Sequence, residues 1–156
     1  MRKHRVVLDS CVFCKLFLLE PDRDQSISLI KELGSRNYSI VVPQLFFYEV
    51  MAVAIYSKFE LGKVLALIEA YKKANLHLIE PDIETLKTSA AIIDNGHPKS
   101  GYPSFYDAIY HALALSLNCP FITSDKRHYE KTKHLGSIVL LKDWESILQV
   151  LPWNLK

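Results

Sequence analysis

Asp9, Glu49, Asp107 and Asp125 are spread over most of a 156-residue chain, yet each stands where it can be turned toward a common pocket. Asp9 ends the apolar run Arg5-Val6-Val7-Leu8, and Asp125 follows Pro120-Phe121-Ile122-Thr123-Ser124. Both therefore fall where a buried parallel strand gives way to a loop, the edge at which open α/β sheets bind ligands. Asp107 lies in the first turn of a helix that Ser104 can cap, and Glu49 interrupts an otherwise apolar stretch over 45–55. Carboxylates gathered within a few ångströms cannot all stay ionised without compensation. A hard divalent cation compensates most simply: Mg²⁺ or Mn²⁺ takes oxygen ligands, keeps several waters and needs neither His nor Cys. One such ion, or two, can activate water and stabilise charge on a phosphodiester during in-line attack. Hydrolysis of nucleic acid is the chemistry these residue types point to. The bland alternative for Asp9, Asp107 and Asp125 is helix capping, which metal binding does not exclude.

The elements that must position these acids are legible as alternating strands and helices. Residues 6–8, 38–42, 76–79, 121–123 and 138–141 read as short apolar or β-branched strands. Helical spacing of apolar residues marks 11–19, 22–34, 44–59, 62–75, 82–95, 105–118 and 128–135, with a terminal amphipathic turn over 143–151. Gly34 and Gly96 are natural helix stops, and Pro43 suits a first helical turn. Strands alternating with helices predict one doubly wound α/β domain over 1–156, its parallel sheet covered on both faces.

Bulk composition restricts the setting more than the activity. A chain that is 49% hydrophobic is long enough for one well-buried core, and a net charge of +2 is too small to mark a nucleic-acid binder alone. Three cysteines, Cys11, Cys14 and Cys119, make no even disulfide framework, which fits a reducing cytoplasm. The basic start Met1 to Arg5 imitates an export signal, but Asp9 and Lys15 interrupt the apolar run and no small-residue cleavage site follows. No apolar stretch reaches the roughly 20 residues of a membrane helix.

Taken in order, Val6-Val7-Leu8-Asp9-Ser10, Val42-Pro43 ahead of a helix carrying Glu49, Ser104-Phe105-Tyr106-Asp107-Ala108 and Ile122-Thr123-Ser124-Asp125 resemble the motifs of PIN domains. The resemblance covers nearly the whole chain and is similar in extent to the VapC-type toxins of toxin–antitoxin pairs. It implies a five-stranded parallel sheet of order 3-2-1-4-5 and an acidic cluster that binds Mg²⁺ or Mn²⁺ for RNA hydrolysis. Asp9, Glu49, Asp107 and Asp125 would be its catalytic and metal-holding residues, with Ser10 and Thr123 as polar supports. Where some relatives carry a further acidic or Asn residue after the last Asp, this chain has Lys126 and Arg127. The same resemblance implies a small antitoxin whose peptide covers the cleft.

Other residues offer weaker readings. Lys15, Lys126, Arg127 and Lys131 are candidates for RNA phosphates, and Tyr102, Tyr106 and Tyr129 for stacking on unpaired bases, against a plain solvated surface. Cys11-Val12-Phe13-Cys14 invites a redox reading, against two buried thiols on a core-facing helix. His111 stands one turn beyond Asp107 and could reach the rim, or simply pack. Phe46, Phe47, Tyr56 and Phe59 could serve homodimerisation or an antitoxin, or be core. A catalytically silent module binding RNA or protein remains the rival to a nuclease.

Overall fold

The computed structural model describes residues 4–149. Five parallel strands form one sheet in the order β3-β2-β1-β4-β5, as the resemblance implies. In chain order the strands are β1 (Arg5–Leu8), β2 (Ser39–Pro43), β3 (Leu76–Ile79), β4 (Phe121–Thr123) and β5 (Ile138–Leu140). The helices are α1 (Ser10–Cys14), α2 (Arg23–Ser35), α3 (Leu45–Tyr56), α4 (Leu61–Ala74), α5 (Ile83–Asp94), α6 (Phe105–Leu117), α7 (Lys126–Thr132) and α8 (Glu145–Gln149).

Val6, Val7, Leu8, Phe121 and Ile122 are fully buried, the uninterrupted apolar character that a strand covered on both faces demands. Central β1 pairs Val7 with Val41 of β2 and with Phe121 of β4. Strand order therefore reverses at β1. The chain leaves β1 toward one face and β4 beside it, so the loops after these two neighbours diverge and open the crevice where ligands bind. Asp9 and Asp125 sit at those two exits. α6 packs beside β1, β2 and α5, and its small residues Ala108, Ala112 and Ala114 are buried, which permits that close approach.

Three elements depart from the sequence reading, each for a tertiary reason. The helix expected over 11–19 stops at Cys14, after which Phe17 and Leu18 donate to the Cys14 carbonyl in tight turns. The Arg23 guanidinium takes up the freed carbonyls of Lys15 and Leu16, each at 3.1 Å. The helix expected over 44–59 ends at Tyr56 because Lys58 turns left-handed at φ 55°. Lys58 N–H then donates to Ile55 O and Phe59 N–H to Ala54 O, a Schellman closure, and the Phe59 ring it places packs on Phe17, 5.2 Å between centroids. The helix expected from 128 starts at Lys126, because the Asp125 carboxylate caps it. Of the terminal turn expected over 143–151, residues 150–151 lie outside the described residues. No helix among the described residues is long and apolar enough to cross a membrane.

Candidate active site

Asp9 occupies the position before α1 but makes no capping hydrogen bond, so the bland reading fails for it. Its buried carboxylate instead accepts from Thr123 Oγ1 at 2.6 Å and, more weakly, from Ser10 Oγ at 3.5 Å. Thr123 Oγ1 also accepts from the Asp125 backbone N–H at 3.0 Å. One hydroxyl thus ties the exit of β1 to the exit of β4. Ser10 and Thr123 both hydrogen-bond the Asp9 carboxylate.

Glu49 reaches the same place from α3. Ser10 Oγ lies 3.4 Å from its Oε1, and the Tyr110 hydroxyl donates to that oxygen at 2.6 Å. Asp107 enters from α6 in a reciprocal box: its N–H donates to Ser104 Oγ at 3.2 Å, and Ser104 Oγ donates to its Oδ2 at 2.9 Å. Asp125 caps α7 through Arg127 N–H at 2.9 Å and His128 N–H at 3.1 Å. For Asp107 and Asp125 the capping role is real. It also holds each carboxylate at the site.

The acids sense one another. Burial pushes the Asp9 carboxyl up to about 6, against the Thr123 hydrogen bond, and the charges of Asp107 and Glu49 add to the rise. Glu49 is raised by burial, opposed by Tyr110, and raised further by Asp107. Asp107 is raised by burial, with Asp125 adding to the rise and Lys131 easing it. No ion pair among the described residues joins any of the four to a Lys or Arg. Uncompensated carboxylate oxygens around a buried Asp are a donor set that fits a hard cation. Among the described residues, no three acidic, His or Cys side chains already form a metal cage.

Sequence reasoning missed Tyr110. Its one signal was a position three residues after Asp107 on the same helix, the spacing that puts two side chains on neighbouring surface. Lys15, expected near the mouth, is 5% exposed and spends its ammonium on Glu20 and on Asp22, the latter at 2.9 Å. Lys126 and Arg127 are exposed and line, with Ser100, Glu130 and Lys131, a groove of about 460 Å³ beside Asp125. Tyr102 and Tyr106 are exposed, whereas Tyr129 is half-buried beneath the Lys133 ammonium.

The remaining readings resolve toward packing. His111 is buried, with Nε2 2.7 Å from Gly136 O, and does not reach the rim. Burial pushes the Cys14 thiol up to about 12 and Cys11 higher still, so neither is a ready thiolate for redox exchange. Phe46 is core, while Tyr56 is 86% exposed beside exposed Ile55 and Phe59.

A parallel sheet of order 3-2-1-4-5 with Asp9 and Asp125 at the exits of β1 and β4 defines an α/β domain with acids at its switch point. The PIN domain family model matches residues 6–134, and the chain belongs to that family. Among curated proteins, none matches this chain by sequence. Solved structures do match by fold. VapBC-1 from nontypeable Haemophilus influenzae aligns at TM-score 0.66 and 16% identity, covering 88% of this chain and 98% of that one. VapBC2 from Rickettsia felis, bound to a DNA fragment from its promoter, aligns at 0.64 and 12%, covering 87% and 96%. Mycobacterium tuberculosis VapC20, a Sarcin-Ricin loop cleaving toxin, aligns at 0.56 and 10%, covering 72% and 83%.

Proposed function

We propose that residues 1–156 form one nuclease domain, a divalent-cation-dependent endoribonuclease that serves as the toxin of a toxin–antitoxin pair. The observation that carries this reading is Asp9: a buried carboxylate at the β1/β4 switch point, its proton affinity raised by Glu49 and Asp107, with no ion pair to a Lys or Arg among the described residues. Asp9, Glu49, Asp107 and Asp125 are the residues that would hold Mg²⁺ or Mn²⁺, as one ion or two. The ion supplies an activated water and stabilises charge on the scissile phosphate. The protein's own part is orientation. Thr123 and Ser10 fix Asp9, Ser104 fixes Asp107, and the α7 N–H groups fix Asp125, so no protein nucleophile is needed.

Membership of the PIN family and likeness to VapC folds support the toxin role. A small antitoxin protein is the partner this implies, with the exposed apolar residues Ile55, Tyr56 and Phe59 of the α3 end offering it, or a second copy in a homodimer, a surface to cover. A reducing cytoplasm is the compartment that three free cysteines fit. Thiols held protonated by burial weigh against the cysteine redox alternative.

The test is cleavage of a mixed pool of structured and single-stranded RNA by purified protein. Cleavage is expected with Mg²⁺ or Mn²⁺, and loss is expected in EDTA. Cleavage that persists unchanged in EDTA overturns the carboxylate mechanism, and a folded protein inert on a broad pool supports the silent RNA- or protein-binding module instead. A second prediction concerns the basic groove. With Ca²⁺ replacing Mg²⁺ to slow cleavage, Lys126→Ala with Arg127→Ala is expected to weaken binding of unrelated single-stranded RNAs alike. The slope of log affinity against log salt should flatten by about 1 to 1.5, two phosphate contacts' worth. An unchanged slope removes these residues from the RNA path.

A further inference from the structure

Glu49 comes to the site on the long, mostly apolar helix α3, and nothing on that helix anchors its carboxylate. The anchor comes from α6, 61 residues away: the Tyr110 hydroxyl donates to Glu49 Oε1 at 2.6 Å, a length typical of a hydrogen bond to an ionised oxygen. Ser10 Oγ, at 3.4 Å and shared with Asp9, is a far weaker hold. Among the described residues, Oε2 of Glu49 takes no hydrogen bond.

Tyr110 is itself rigid. It is fully buried, and its ring stacks on Phe121 of β4 at 5.7 Å with an interplanar angle of 14°. Its hydroxyl spends its one proton on Glu49 Oε1. A buried phenol needs a partner. Here the partner is one of the four acids rather than a backbone carbonyl.

We propose that Tyr110 is a positioning residue of the cation site, its buried hydroxyl gripping one oxygen of Glu49 so that the other is held ready for a divalent ion. This rests on the reading above that Glu49 contributes to binding Mg²⁺ or Mn²⁺. Without the hydroxyl, a side chain with three rotatable bonds must be ordered at the moment of binding, and that entropy is charged to the affinity.

The experiment measures Mn²⁺ affinity by electron paramagnetic resonance and calorimetry for the wild type, Tyr110→Phe, Glu49→Gln and the double variant. Near-UV circular dichroism checks the fold, and Tyr110→Met is a second hydroxyl-free variant if Tyr110→Phe does not fold. Tyr110→Phe is expected to weaken Mn²⁺ binding by about 10-fold or more, and to add nothing further on the Glu49→Gln background. A generally loosened structure would instead lower affinity equally on both backgrounds. Wild-type affinity in folded Tyr110→Phe, or equal losses on both backgrounds, overturns the role of Tyr110 and leaves the proposed function standing. A wild type that binds no Mn²⁺, or Glu49→Gln binding as tightly as wild type, overturns the part of that function on which Tyr110 depends.

Discussion

Asp9→Asn is expected to make the metal-free protein more stable at pH 7.5 while sharply lowering the proposed RNA cleavage. The Asp9 carboxyl is held up at about 6, from an ordinary 3.8, first by burial and then by Asp107 and Glu49. Between those values the folded protein keeps a proton that the unfolded chain has released. Stability from this group is therefore full below the unfolded value and is lost as pH rises through 6. At pH 7.5 the buried charge costs about 3 kcal/mol. Asparagine keeps the shape, accepts from Thr123 as before and removes the charge. Allowing for a poorer match at Ser10, a gain of about 2 kcal/mol corresponds to a rise in Tm of about 4–8 °C for a chain of this size.

Saturating Mg²⁺ should reverse that order, because an ion that binds only the folded wild type stabilises it by mass action. RNA cleavage by Asp9→Asn should fall by about two to three orders of magnitude, the equivalent of several kcal/mol of lost transition-state charge stabilisation. The measurement is a pair of thermal melts in EDTA and in Mg²⁺ beside the cleavage assay. A metal-free Asp9→Asn protein less stable than wild type at pH 7.5 would show that the Asp9 charge is compensated within the fold.

Acid should destabilise the molecule well before its ordinary carboxylates titrate, and the agents are two buried histidines. His111 and His128 pack with ring centroids 5.9 Å apart. Both ring nitrogens of His128 and Nδ1 of His111 lack hydrogen-bond partners among the described residues. Burial pulls both imidazoles down to about 4 from an ordinary 6.5, with the Gly136 carbonyl opposing the shift at His111 and the Asp125 charge opposing it at His128. Between 6.5 and 4 the unfolded chain binds protons that the folded protein refuses, so stability is full above the upper value and falls as pH drops.

At pH 5 each imidazole costs about 2 kcal/mol relative to pH 7.5, and together they outweigh the roughly 1.4 kcal/mol that Asp9 returns over the same interval. The net loss should lower Tm by about 5–10 °C. Thermal melts from pH 7.5 to 5 in EDTA measure it, and His128→Leu should remove most of the slope, because one imidazole's share of about 2 kcal/mol is most of the net loss. A Tm that rises steadily toward pH 5 would mean that the Asp9 pair of effects dominates and the histidines are not held neutral.

Much of this architecture is written locally. β3 and β4 have the bounds read from the sequence, because short apolar runs closed by Pro81 on one side and opened after Pro120 on the other leave little freedom. Asp9 and Asp125 stood out as candidates because each follows a buried apolar run at a strand exit, although capping, which Asp125 also performs, places an acid there too. What failed to show were features made by partners distant in sequence. The early end of α1 depends on Arg23 collecting two carbonyls, and the early end of α3 on a left-handed Lys58, a conformation that lysine does not advertise. Lys15 looked like a free cation at the mouth because its acid partners, Glu20 and Asp22, become its neighbours only when the loop after α1 folds back.

By itself, then, the sequence determined the alternation of strands and helices, and it offered the four acids as candidates at or near the ends of those elements. Hydrophobic period and strand-end chemistry are properties of consecutive residues, so they survive without coordinates. Only the tertiary structure decided how those acids are held: Thr123 joining two strand exits, Asp125 capping α7, and Tyr110 reaching across 61 residues to Glu49. A hydrogen bond between side chains on different elements has no periodicity, and burial, which sets the proton affinity of Asp9, belongs to the packed whole.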